Sequence, residues 1–154
     1  MPESGDDDGG IREPQAGADR SQLGLVALRR HLDHLRELRP RIDGPEDLQR
    51  DLSLHNDVLF SLLTVCQLVI DISGELLARR GERFEDYTEA IENLGTDPRF
   101  PAPLVRQLKR LPGFRNILVH EYVLLDMERV IEALDQLDPV EQFLEIIRKF
   151  ESER

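Results

Sequence analysis

Leucine recurs at steps of three and four through most of this chain, and no stretch alternates apolar and polar residues as a half-buried strand would. Leu25, Leu28, Leu32 and Leu35 make the first stripe. Leu48, Leu52, Leu59, Leu62, Cys66, Val69 and Leu76 mark a second. That spacing lines one face of an α-helix, so the sequence predicts helices packed on helices. Five segments are expected: about 20–38, from Pro45 to about Arg80, 83–94, 103–122 and 127–152. The third carries Phe84, Tyr87, Ile91 and Leu94, and the fourth Leu104, Leu108, Leu111, Phe114 and Leu118. Pro112-Gly113 should kink or restart the fourth, and Pro139 should kink or split the fifth, because proline removes a backbone donor and crowds the preceding turn. The expected fold is all-α, a four- to five-helix up-and-down bundle.

A chain of 154 residues suits one domain. Its aromatic content is 5 %, with no Trp, so aliphatic side chains must fill the core. Residues 1–19 hold six acids and one Arg and are rich in Gly and Pro. They are expected to be a disordered acidic tail, with the helical domain over 20–154. The segment MPESGDDDGG has no apolar run of the kind a secretion signal needs. The most apolar stretch, VLFSLLTVCQLVI over 58–70, reads as a buried helix rather than a membrane span. Cys66, the one cysteine, lies inside it and reads as a small buried hydrophobe. A reducing, cytoplasmic setting fits these features. No membrane or DNA partner is expected.

The net charge of −11 argues against a non-specific nucleic-acid coat. The charge is uneven, however. Residues 99–120 contain Arg99, Arg106, Lys109, Arg110 and Arg115 and no acid. Screening lets such a local patch bind phosphate on an acidic protein. His31, His34 and His55 lie on predicted helices without the spacing of metal ligands, so no metal site is expected. Arg79, Arg80 and Arg83 cluster at a helix end, where cations favour the dipole; the alternative is an extension of a phosphate path.

The patch ends in RNILVHEY, residues 115–122. On a continuous helix Arg115 and Tyr122 share one face, and Asn116 and His120 the neighbouring one. Arg115 and His120 would stand about 140° apart, so one straight helix would not aim both at one atom. These residue types suit phosphodiester cleavage. Arg forks two hydrogen bonds onto phosphate oxygens and steadies charge in the transition state. His passes a proton near neutrality. In RNA the neighbouring 2′-hydroxyl can attack, so no protein nucleophile is required. Asn116 could orient the imidazole or a phosphate oxygen. The other reading is an ordinary helix end, with His120 near the C-terminal dipole and Arg115 on the surface.

The pattern Arg-Asn-x-Leu-Val-His-x-Tyr, late in a small helical chain, resembles the HEPN superfamily and its HepT-like branch. Arg115, Asn116, His120 and Tyr122 match the four positions of that pattern. In the central helix Asp71 of VIDISGELL matches a recurrent family Asp, but Ser73, Gly74 and Glu75 stand where the family pattern has a small residue, Asn and His. The resemblance implies a toxin-type ribonuclease of a two-component toxin–antitoxin pair that needs neither metal nor cofactor. It implies Arg115 and His120 as catalytic residues, with Asn116 and Asp71 in support. It implies a homodimer whose two motifs meet at one cleft. It also implies a minimal nucleotidyltransferase antitoxin that moves AMP from ATP to Tyr122, filling the cleft with charge and bulk. Asp71 is equally readable as a carboxylate paired within the bundle. Two further readings stay open: a non-catalytic HEPN adaptor that binds a nucleotidyltransferase or nucleotide, and a plain structural bundle.

Overall fold

A computed structural model describes residues 18–153. The acidic segment expected over 1–19 lies, up to residue 17, outside the described residues. Among the described residues the chain is helical, with no strand. The elements in order are α1 (Ala18–Leu38), a 3-10 turn (Arg39–Arg41), α2 (Pro45–Arg50), α3 (Leu52–Arg79), α4 (Tyr87–Leu94), α5 (Ala102–Leu108), α6 (Leu111–His120), a 3-10 turn (Tyr122–Leu124), α7 (Met127–Leu134) and α8 (Asp138–Ser152).

The central element is α3, which packs against α1, α2, α4 and α6. Leu28, Leu32 and Leu35 of α1 are buried, as are Val58, Leu62, Val65 and Val69 of α3. By length and composition α3 could cross a bilayer, but half of its most apolar window is buried inside the bundle. Cys66 is buried there, and burial pushes its thiol up to about 12, which keeps it inert near neutrality. On the far side Arg29 of α1 forks onto both oxygens of Glu141 of α8, with Nη1 to Oε2 at 2.7 Å. That fork holds the Glu141 carboxyl below its usual range.

Several expected helices are broken, each for a local reason. The segment expected from Pro45 to Arg80 divides at Asp51, whose backbone is extended (φ −103, ψ 97). Its side chain accepts the Leu54 N–H at 3.1 Å and starts α3 afresh. Leu52, expected on the inner face, is instead 67 % exposed in the first turn. α3 stops at Gly81, whose φ of +74 is the left-handed conformation that glycine tolerates best. The third helix begins at Tyr87 rather than 83, capped by Asp86 through the Glu89 N–H. Tyr87 faces solvent while Ile91 and Leu94 are buried. The fourth segment restarts at Leu111, with Pro112 in the first turn, where no N–H is missed. The fifth divides as expected, with Pro139 in the first turn of α8.

Asp51 stands at the break between α2 and α3, so its cap is open to test. Asp51→Ala should cost about 1 kcal/mol, read as a lower urea midpoint at unchanged slope. An unmoved midpoint would mean that packing alone fixes the break.

Candidate functional site

α6 lies on α3 through Leu118, which is buried, and through Phe114 and Ile117, which are partly so. That seating puts the flank of α6 beside the middle of α3 and leaves Arg115 half-buried between them. The Arg115 Nε donates to Gln67 Oε1 at 3.0 Å, and Nη1 donates to Asn116 Oδ1 at 3.1 Å. Gln67 Nε2 donates in turn to Asp71 Oδ1 at 2.8 Å, one turn along α3. The chain of bonds fixes the amide of Gln67, since only its oxygen can accept from a guanidinium and only its nitrogen can donate to a carboxylate. Asp71 thus reaches Arg115 through one intermediary, and the rest of the guanidinium fork stays open.

His120 is the last residue of α6. Its side chain is exposed and has no hydrogen-bond partner among the described residues. Among the described residues no side-chain bond joins it to Asn116 or Asp71: both side chains belong to the Arg115 network. Arg115 and His120 lie on one unbroken helix, so the angle of about 140° between them holds. Within one copy of the chain, no hydrogen bond of the described residues draws the two together.

Tyr122 does not share a helical face with Arg115. The helix expected to run through 122 ends at His120, and Glu121 (φ −119, ψ 30) leaves helical geometry. The chain turns because Leu125 and Met127 are drawn into the core and Asp126 caps α7 through the Glu128 N–H. The turn pushes Val123 and Leu124 outward, 91 % and 85 % exposed. Tyr122 keeps one contact of note. Its hydroxyl lies 2.9 Å from His55 Nε2 of α3, with the two rings edge to face at 5.7 Å. His55 Nδ1 lies 3.2 Å from the Leu48 carbonyl of α2. A carbonyl only accepts, so Nδ1 carries a proton; in the tautomer protonated there alone, Nε2 accepts and the tyrosine donates.

Sequence reading missed Gln67 and His55. Gln67 carried a signal, for it is a polar residue in an apolar run with Asp71 four residues on, a pair that bonds along a helix. His55 carried none, because its bond to Leu48 depends on the break at Asp51. The remaining histidines are accounted for elsewhere, His31 on Ser61 and His34 beside Asp57. No group of three or more His, Cys, Asp or Glu that could hold a metal ion occurs among the described residues.

The basic patch is thinner than its sequence suggests. Arg99 pairs with Asp97 and Glu153 and lies over the Phe150 ring, and Lys109 pairs with Glu92. Arg79 and Arg80 are likewise engaged, with Glu75 and Glu151 and with Asp97. A cleft of about 770 Å³ opens beside α6, lined by Leu62, Leu111, Phe114, Ile117, Leu137 and Val140 among others. Arg115, His120 and Tyr122 do not line it, so its size says nothing about their chemistry.

The fold and site define a helical bundle with Arg and Asn along a helix packed on its central one, His at that helix's last residue and Tyr in the turn beyond it. The family model for HepT-like ribonucleases matches residues 28–147, and the chain belongs to that family. A candidate RNase of Archaeoglobus fulgidus is 32 % identical over 111 residues, covering 71 % of this chain and 84 % of that protein. The mRNA nuclease HepT of Shewanella oneidensis is 27 % identical over 108 residues, covering 69 % of this chain and 80 % of that one. Among solved structures, the tri-AMPylated Shewanella oneidensis HEPN toxin in complex with MNT antitoxin superposes with a TM-score of 0.74 at 22 % identity, over 85 % of this chain and 98 % of that chain. A toxin–antitoxin complex with AMP-PNP gives 0.74 at 21 %, with the same coverage. At such identity these two structures establish the shared fold.

Proposed function

We propose that this chain is a metal-independent RNA endonuclease, the toxin of a toxin–antitoxin pair, with Arg115 and His120 as its catalytic residues. The observation that carries the reading is the contrast along α6: Arg115 is anchored on α3 with part of its fork open, while His120 ends the helix exposed and unbonded. A fixed cation and a free imidazole are what cleavage by an RNA 2′-hydroxyl requires. The 2′-oxygen attacks phosphorus, its proton passes to a base, and the bond to the 5′-oxygen breaks as that oxygen takes a proton. His120 moves the protons. Arg115 steadies the oxygens that gain charge. Asn116, Gln67 and Asp71 hold Arg115 in place. No cofactor is called for, since the substrate brings its own nucleophile.

Two copies of the chain would close the gap between Arg115 and His120 by facing their α6 ends across a groove. Val119, 41 % exposed beside His120, supplies apolar surface for that contact. The Shewanella oneidensis HEPN toxin, tri-AMPylated and in complex with MNT antitoxin, supports a nucleotidyltransferase antitoxin as partner. Tyr122, 48 % exposed two residues beyond His120, is the acceptor of AMP in this reading. An adduct there would add charge and bulk beside His120.

The test is cleavage of mixed cellular RNA in EDTA by the unmodified chain. Cutting that spares 2′-deoxy substrates would support the reading. Folded dimers without an adduct that leave RNA intact would move it to the adaptor. Tyr122→Phe should stay active when the antitoxin and ATP are present, whereas the parent chain loses activity. Equal silencing of both would remove Tyr122 from the switch.

A further inference from the structure

The contact between Tyr122 and His55 is not used by RNA cleavage, yet it is built with care. His55 sits in the first turn of α3, where Asp51 has just turned the chain. Its Nδ1–H is held by the Leu48 carbonyl at 3.2 Å, and its Nε2 meets the Tyr122 hydroxyl at 2.9 Å. The ring is partly buried, while the phenol it touches is open to solvent on its other side. A hydroxyl that donates to a basic nitrogen, and is reachable from outside, is arranged as a nucleophile beside its base.

We propose that His55 is the proton acceptor when Tyr122 is modified by a nucleoside triphosphate. The inference rests on the reading of Tyr122 as the AMP acceptor and adds a residue of this chain to that reaction. The Tyr122 oxygen bonds to the α-phosphorus, the bond from that phosphorus to the β-phosphate's bridging oxygen breaks, and pyrophosphate leaves. The phenolic proton passes to His55 Nε2. The Leu48 carbonyl, already accepting from Nδ1–H, stabilises the imidazolium, which returns its proton to water. The toxin thus supplies both the acceptor and the base for its own silencing.

The surroundings leave His55 free to act. Among the described residues, the hydrogen-bond partners of the ring are the Leu48 carbonyl of α2 and the Tyr122 hydroxyl of the 3-10 turn. On α3 itself, Asp51 is engaged with the Leu54 N–H. Asp57 pairs with His34 of α1. No carboxylate or cation pairs with the His55 ring among the described residues.

The experiment follows AMP transfer from ATP to the full chain by its nucleotidyltransferase partner, with the modified residue located by mass spectrometry. Parent, His55→Ala and His55→Gln are compared from acid to alkaline pH, with melting curves to confirm that each is folded. Both variants should lose about 100-fold in kcat for transfer, with KM for ATP unchanged. The parent rate should fall on the acid side as the imidazole gains a proton, a limb that His55→Gln lacks. In the parent, nitrogen NMR should find the His55 proton on Nδ1. Equal rates and one shared pH profile would overturn the proposal, as would a proton resident on Nε2. A parent chain that never gains AMP on Tyr122 would overturn the modification reading itself, and this inference with it.

Discussion

His120→Ala should lose RNA cleavage by a factor of about 10²–10⁴ while the protein keeps its fold. The size follows from the role. An imidazole that takes the 2′-proton and returns one to the 5′-oxygen acts in both halves of the reaction, and alanine does neither. The intact fold follows from the surroundings. His120 is exposed, ends its helix and has no hydrogen-bond partner among the described residues. A surface change of that kind moves stability by less than about 0.5 kcal/mol. Product gels for the parent and the variant, beside their melting curves and dimer masses, are the measurement. Unchanged cutting by the variant would mean that another group moves the proton. A variant that melts early would mean that His120 carries structure its exposure does not reveal.

The stripes of α1 and α3 were readable because leucine spacing reports directly on burial: Leu25, Leu28, Leu32 and Leu35 are all buried as expected. The breaks at Pro112 and Pro139 were readable because proline leaves a local mark. The break at Asp51 was not, because leucines continue at helical spacing on both sides. Only a carboxylate that caps α3 separates them, and Leu52 keeps to the spacing without being buried. The octapeptide was legible as residue types but not as geometry. Its first six residues are helical, but its tyrosine belongs to a separate turn whose course is set by Leu125, Asp126 and Met127. Residue periodicity carries no trace of the pull that those three exert. Gln67 and His55 show the same limit. One serves the arginine and the other the tyrosine, across 48 and 67 residues of chain. Such pairings exist only once α3 has packed on its neighbours.

The Arg115 network separates charge from geometry, and Arg115→Lys should expose the difference. Lysine keeps the positive charge but presents a compact, strongly hydrated head with no planar fork. It cannot hold Gln67 and Asn116 while turning two parallel donors toward a phosphate. Loss of a fixed donor at developing charge costs about 10²–10³ in kcat, and Arg115→Lys should fall in that range, with KM less affected. Gln67→Ala should cost less, about tenfold, because the guanidinium remains and loses only the bond that aims it. The ordering of the two variants is the informative result. If Arg115→Lys cut RNA as well as the parent, the arginine would be a steering charge. Gln67, Asn116 and Asp71 would then hold the side chain for packing alone. If both variants fell, with Gln67→Ala the milder, the central helix would serve the reaction through one amide, by keeping a cation still on a helix whose far end carries the imidazole.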